Sequence, residues 1–446
     1  MRGSSPEPRA QGKTRSASLN PSPVALLAAG LGFLALLLPW LELKPSRIAV
    51  GESFGVWGWP SVWPWVLLTL WFGIALVRGH WRGLLLGMTL LVWGLLVGQG
   101  AAALLSNQPE SARVSATAGF WLSLLALYVG YFAAYCESRG WAVLSAPLAL
   151  TVLLLLGVFN LLGPVLEFQS WRNQFATELW RHLSLSSSAV ILAIAVGVPL
   201  GVFAASSTRY GWVLGAMGFL QTIPSLALFG LLLPLLAGVS QAMHLEVALA
   251  LLGVGVFAFR WLWALSGGLA VLLVLPLGLL ALAIAGVWLN NLLGPDPLRI
   301  ALLAPLQESG IRGIGAAPAV LALTLYALLP VVLNVYTGLR SVPEAVKDAG
   351  RGMGMSPAQL FWRVELPLAL PLMLEGIRGA ALLTIGITTV AALIGAGGLG
   401  YFVLRGAEGG APDMVLLGAV PIIALALLVD LALRFAGGLL RRRVGT

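Results

Sequence analysis

Charged side chains are scarce in this chain. Asp, Glu, Lys and Arg together make up 10% of its 446 residues, whereas a soluble domain carries roughly 25%. A surface that poor in charge excludes a water-soluble globular protein. There is one cysteine, Cys136, so no internal disulfide can form. The three histidines, His80, His182 and His244, have no metal-ligand spacing, and no metal site is expected. A GxxxxGK[ST] run is missing, so the usual ATP-binding loop is not carried here. Neither a catalytic triad nor a dinucleotide fingerprint appears. No cofactor and no enzymatic activity of its own are therefore expected.

What is abundant is apolar. Hydrophobic residues account for 59% of the chain, and only lipid can host that much apolar surface. The fold class expected is an all-α integral membrane protein. The net charge of +9 would suggest nucleic acid in a soluble protein; here basic residues in cytoplasmic loops that hold the topology explain it, and no nucleic-acid partner is expected. Residues 1–23 are polar and basic and read as a disordered cytoplasmic tail. The apolar stretch beginning at Val24 runs too far for a secretory signal and has no A-x-A site close behind it, so it reads as an uncleaved first span.

Since a spanning helix needs roughly 20 apolar residues, twelve spans are expected: 24–43, 61–77, 84–105, 117–136, 142–166, 183–205, 212–238, 245–265, 269–290, 316–338, 370–394 and 414–435. The cluster Trp57 to Trp65 fits an interfacial belt or core packing equally well. With the basic tail inside and the spans alternating, the inner segments hold most of the 26 Lys and Arg residues. That bias supports an even number of spans, both termini in the cytoplasm, and a cytoplasmic stretch 340–367.

The stretch Ser341 to Pro367, SVPEAVKDAGRGMGMSPAQLFWRVELP, is long and polar and carries two helix starts. Ser341 with Glu344, and Ser356 with Gln359, fit capping boxes, with Pro343 and Pro357 in the first turns. Gly350, Gly352 and Gly354 are expected to stop the first helix, and Pro367 and Pro371 to close the second. Ala345, Val346, Ala349 and Met353 make a small apolar strip on the first helix; Leu360, Phe361 and Val364 make a larger one on the second. Composition fits equally a loop packed on its own membrane domain and a docking element for a soluble partner.

The run Asp348-Ala349-Gly350, Gly354 and Val364-Glu365-Leu366-Pro367 resembles the cytoplasmic signature of permeases from binding-protein-dependent ABC importers: Glu-Ala-Ala, three residues, Gly, nine residues, Ile, any residue, Leu-Pro. The spacing matches in full; Asp348, Gly350 and Val364 depart mildly. Gln221-Thr222-Ile223-Pro224-Ser225, Asn334-Val335-Tyr336-Thr337-Gly338-Leu339 and Gly395-Ala396-Gly397-Gly398-Leu399-Gly400 resemble the osmoprotectant branch, which imports glycine betaine, choline and carnitine. The similarity covers about 180–240 and 312–436. It implies a core of the type I importer kind over 171–446, with an inserted hairpin at about 241–311 and a coupling loop at 341–367. Residues 24–170 form an added N-terminal membrane domain of about five spans. In the loop, Glu344, Ala345, Asp348, Ala349, Gly350, Gly354, Val364, Leu366 and Pro367 are the residues that the resemblance assigns to ATPase coupling. The partners it implies are a separate ATP-binding subunit, an extracytoplasmic substrate-binding protein and a second permease copy, identical or paralogous. The setting is membrane lipid, in the bacterial inner membrane.

Gln221, Thr222, Pro224 and Ser225 put a helix breaker and polar groups inside a span. A translocation-path lining is favoured over a structural kink, because such groups in lipid must face protein or water. Asn334 and Tyr336 raise the same question. The glycine run 395–400 lacks the Lys-Ser/Thr ending of a phosphate loop and reads as close backbone packing or a re-entrant turn near the outer end of a span. For Arg378 and Asp430, snorkelling or local pairing is expected ahead of a functional role. Two alternatives stand: an importer for another small solute such as an amino acid, and an ion-coupled secondary transporter. The second needs membrane-embedded carboxylates and half-chain repeats that are not found, and has no use for the loop.

Overall fold

The computed structural model describes residues 22–46, 49–59, 61–137, 141–206, 211–265 and 267–444. The tail expected over 1–23 therefore falls almost wholly outside the described residues. Those residues divide into two compact units meeting between Leu166 and Glu167.

In the first unit, α1 (Pro23–Leu37), α2 (Trp63–Leu76), α3 (His80–Leu105), α4 (Ala118–Glu137), α5 (Ser145–Leu155) and the start of α6 (Gly163–Ser170) follow in order. The span expected over 24–43 is cut short. Pro39 drives Leu38 into extended backbone (φ −95°, ψ 159°), as the residue before a proline prefers. The apolar run then continues as β1 (Pro39–Lys44). With β2 (Glu52–Gly55) and β3 (Arg113–Ala116) it forms an antiparallel sheet in the order β2-β1-β3, in register at Leu41↔Phe54 and Leu41↔Ala116. This sheet is an addition to the all-helical expectation. Trp40 is fully buried beneath it, and its Nε1 donates to the Ala35 carbonyl at 2.7 Å. Across α3 and α4, Trp93 Nε1 donates to Ser123 Oγ at 2.7 Å. Within the Trp57–Trp65 cluster, Trp57 and Trp65 are exposed and meet edge-on at 4.9 Å, while Trp59 and Trp63 are half-buried. Arg82 is fully buried, its charge met by Glu137 at the end of α4.

The second unit is built from α7 (Arg172–Ser206), α8 (Trp212–Thr222), α9 (Ser225–Ala242), α10 (Leu245–Leu265), α11 (Gly267–Leu293), α12 (Ala316–Arg340), α13 (Glu344–Gly352), α14 (Pro357–Leu360), α15 (Leu366–Ala391), α16 (Gly400–Glu408) and α17 (Pro412–Val444). Helix α12 is the most buried of the long apolar helices and α17 the least. Small residues let neighbours approach α12 closely. A Cβ on Gly201 of α7 would lie 2.6 Å from Val335, and one on Gly376 of α15 would lie 2.6 Å from the Pro330 carbonyl.

Among the described residues, eight helices are long and apolar enough to cross a membrane, and four shorter apolar helices accompany them. Each expected span overlaps one of these twelve. Two differ in form: 212–238 is split at Ile223–Pro224 into α8 and α9, and 142–166 ends as α5 at Leu155, ahead of a turn through Gly157.

Candidate functional site

The stretch 341–367 is not two free helices. Helix α13 stands alone, but α14 runs through a π-helical turn at Phe361–Glu365 directly into α15. Pro367 and Pro371, expected to close the second helix, lie inside this rod. A proline has no N–H to give, and the wider π turn just ahead is one way a helix absorbs that loss. The second arm is thus one end of a long apolar helix.

The expected box at Ser341 does not form. Ser341 caps the end of α12 instead, its Oγ donating to the Gly338 carbonyl at 2.8 Å, and Pro343 becomes the N-cap of α13. The Ser356 box does form, with Gln359 N–H donating to Ser356 Oγ and Ser356 N–H to Gln359 Oε1. Of the three glycines, Gly354 alone takes a positive φ, +78°. Met355 N–H donates to the Gly350 carbonyl at 3.2 Å and Gly354 N–H to the Arg351 carbonyl at 2.9 Å. That pair of bonds is a Schellman stop. Gly350 and Gly352 lie within α13, and Gly350 serves by smallness: a Cβ there would sit 2.6 Å from Leu360 Cδ1.

Glu344, Ala345, Val346, Asp348 and Ala349 are exposed on α13, and Met353 just beyond it is 71% exposed. Val364, Leu366 and Pro367 are half-buried along the second arm. Arg351 Nη1 donates to Asp348 at 2.7 Å and to Glu344 at 3.0 Å; Lys347 lies 3.4 Å from Glu344. The Arg351 hydrogen bond, then the Lys347 charge, holds the Glu344 carboxyl below its ordinary range. The folded value lies below the unfolded one, so this contribution is present at neutral pH and is lost as acid titrates Glu344.

The path residues do not form one cluster. Ile223 (φ −72°, ψ 123°) and Pro224 (φ −55°, ψ 140°) break the helix. Gln221 reaches α12, its Nε2 donating to the Tyr326 carbonyl at 3.1 Å. Tyr326 Oη donates to the Ile223 carbonyl. Thr222 is exposed and bonds within α8, and Ser225 opens α9 half-buried. Asn334 lies about 12 Å further along α12 and donates to its own Pro330 carbonyl at 2.8 Å. Tyr336 packs against the buried cluster of Ala204, Val213 and Val332, under the Arg340 guanidinium 5.8 Å away.

Two groups went unforeseen. Tyr326 is 5% exposed and central. Its sequence signal is Pro330, four residues on, which strips the Tyr326 carbonyl of its helical donor. Glu178, 2% exposed, accepts from Gly398 N–H at 2.7 Å and Gln174 Nε2 at 2.6 Å. Beside it, Arg181 donates to Asp296 at 3.1 Å, and His182 Nε2 donates to the Ile385 carbonyl at 3.1 Å. The run 395–400 is thereby packed backbone-close on α7. No sequence signal joins residues 220 positions apart. Arg378 pairs locally, with Asp430 at 2.5 Å and Glu375 at 2.8 Å.

Residues 197–445 match the family described as binding-protein-dependent transport system inner membrane component. Residues 20–165 match the N-terminal domain of the ABC transporter permease YehY. The carnitine transport permease protein OpuCB of Listeria monocytogenes is 31% identical over 267 residues, 60% of this chain and 88% of that protein. The osmoprotectant import permease protein OsmW of Salmonella typhimurium is 35% identical over 259 residues, 57% and 86% of the two chains. The choline transport system permease protein OpuBB of Bacillus subtilis is 29% identical over 258 residues, 58% and 84%. Among solved structures, an inward-facing form of the MetNI methionine ABC transporter is similar at 18% identity and a TM-score of 0.39, covering 60% of this chain and 95% of that one.

Proposed function

The chain belongs to the binding-protein-dependent transport system inner membrane component family, and from that membership we propose that it forms the translocation path of an ATP-driven importer of osmoprotectants such as glycine betaine, choline or carnitine. As a permease it is a multi-pass transport subunit of the inner membrane. A separate ATP-binding subunit hydrolyses the nucleotide, and a substrate-binding protein delivers the solute.

The observation that carries the coupling reading is the pair of arms at 341–367. One is a helix with an exposed small-residue face, Ala345, Val346 and Ala349; the other continues unbroken into α15. A push on either arm acts on α12 or α15. In this reading an ATPase dimer grips the loop of each of two permease copies, both termini lie in the cytoplasm, and closure of the ATPase reorients the spans around the path.

The relatives' names support the substrate class: OsmW is named for osmoprotectants, OpuCB for carnitine and OpuBB for choline. A path lined by neutral Gln221, Thr222, Ser225 and Asn334 suits a quaternary ammonium, which needs no donors and is repelled by fixed positive charge. Arg378 has that charge compensated by Asp430 and Glu375. Vesicles holding the full complex should take up labelled betaine or choline saturably with ATP. Saturable uptake of methionine or an anionic control, with neither quaternary amine, overturns the substrate class.

Residues 1–170 are proposed to be dispensable for the core transport cycle and to tune it instead, since the core family match begins at residue 197. A chain beginning at Trp171 should retain ATP-dependent uptake within about threefold, a change of under 1 kcal/mol in barrier. Correct insertion with no uptake contradicts this.

A further inference from the structure

Two carbonyls, one on α12 and one at the α8–α9 break, lie outside their helical ladders, and each is filled from the other element. Pro330 in α12 has no N–H, so the carbonyl four residues earlier, that of Tyr326, loses its helical bond. Gln221 Nε2 supplies the missing donor at 3.1 Å. At the α8–α9 break, the α9 ladder begins with Leu228 N–H donating to the Pro224 carbonyl at 3.0 Å, which leaves the Ile223 carbonyl outside it. Tyr326 Oη supplies that donor. A carbonyl without a donor is costly at membrane depth, and the two side chains close a reciprocal clasp between the break and the most buried helix of the unit.

We propose that Tyr326 and Gln221 are the positioning pair that moves the α8–α9 break together with α12 during transport. This rests on the reading of the chain as an importer permease. Helix α12 ends at Arg340, and only Ser341, Val342 and Pro343 separate it from α13. Tyr326 lies about 21 Å up the same helix from Arg340. Displacement of α13 is thus passed to α12 as a rigid element, and the clasp passes it to the break where Thr222 and Ser225 line the path. The broken helix has its hinge there. Two bonds at one point fix position and orientation, which a single bond would leave free to swivel.

The test uses the full complex of permease, ATP-binding subunit and binding protein in vesicles. Uptake and ATP hydrolysis are measured together. Tyr326→Phe removes one oxygen and leaves the ring packing intact. It should cut uptake roughly tenfold, the cost of stranding one half-buried carbonyl, while hydrolysis stimulated by the binding protein falls much less, so more ATP is spent per solute. Gln221→Leu should do the same. Pro330→Ala gives the Tyr326 carbonyl a donor from its own helix, so Gln221→Leu should cost far less uptake, and less thermal stability in detergent, when combined with Pro330→Ala. Unchanged uptake and ATP per solute in Tyr326→Phe overturn the proposal. So does a Gln221→Leu penalty equal in both backgrounds, in uptake and in unfolding temperature alike. Binding-protein-stimulated hydrolysis by the unaltered complex tests the importer reading separately: if it is absent, that reading fails, whatever the clasp variants do.

Discussion

Replacing Gly354 with valine is expected to lower ATP-driven uptake at least tenfold while the protein still inserts in the membrane. Gly354 holds φ +78° at the Schellman stop of α13, a conformation that costs a side-chain-bearing residue about 1–2 kcal/mol and a β-branched one more. There is open space around the position, so the penalty comes from the backbone alone. Relieving it means unwinding the stop, which turns α13 away from the capped arm at Ser356. In the coupling reading, an ATPase then grips one arm without the other. Gly352→Ala is the contrast. Gly352 lies within α13 with open space around it and no positive φ, so that change should leave uptake near normal. Asn at 354 should fall between, because it tolerates the left-handed region. Normal uptake by Gly354→Val, with its ATPase still co-purifying, contradicts the coupling role of the loop.

Glu178→Ala should lower the thermal midpoint of the purified protein by roughly 2–5 °C. Its carboxylate accepts the Gly398 N–H, which lies in a buried contact, and a buried donor left without a charged partner costs about 2–3 kcal/mol. Arg181 adds little to the loss, because it is one-third exposed and keeps Asp296. Glu178→Gln retains an oxygen for Gly398 and should cost about half as much. Because Glu178 pins the run 395–400 to α7, uptake should fall with the midpoint. An unchanged midpoint in Glu178→Ala means that the run is held by other contacts.

Apolar run length located the helices, because burial in lipid leaves a helix no other way to satisfy its backbone. Run length could not show where a run changes form. Pro39 ends α1 six residues before its apolar stretch ends, and the remainder pairs as β1 with strands 13 and 74 positions away. The loop's spacing was plain because capping and Schellman chemistry are local: Ser356, Gln359 and Gly354 carry their own signals. The false cap at Ser341 failed because that hydroxyl serves the preceding helix. Pro367 reads as a stop in the sequence, but a π turn absorbs its missing donor and the helix continues. The clasp was half legible, since Pro330 announces the orphaned Tyr326 carbonyl and Pro224 the helix break, but neither says which side chains fill the carbonyls there. The Glu178–Gly398 bond was not legible at all, because it depends on tertiary packing alone.

The most direct test of the account is uptake into vesicles holding the permease, its ATP-binding subunit and its binding protein, with nucleotide supplied to the face that bears residues 341–367. The account predicts that uptake needs hydrolysable ATP, persists when proton and sodium gradients are collapsed, and is lost in Gly354→Val. Uptake driven by an imposed ion gradient without ATP, and indifferent to Gly354→Val, would contradict it.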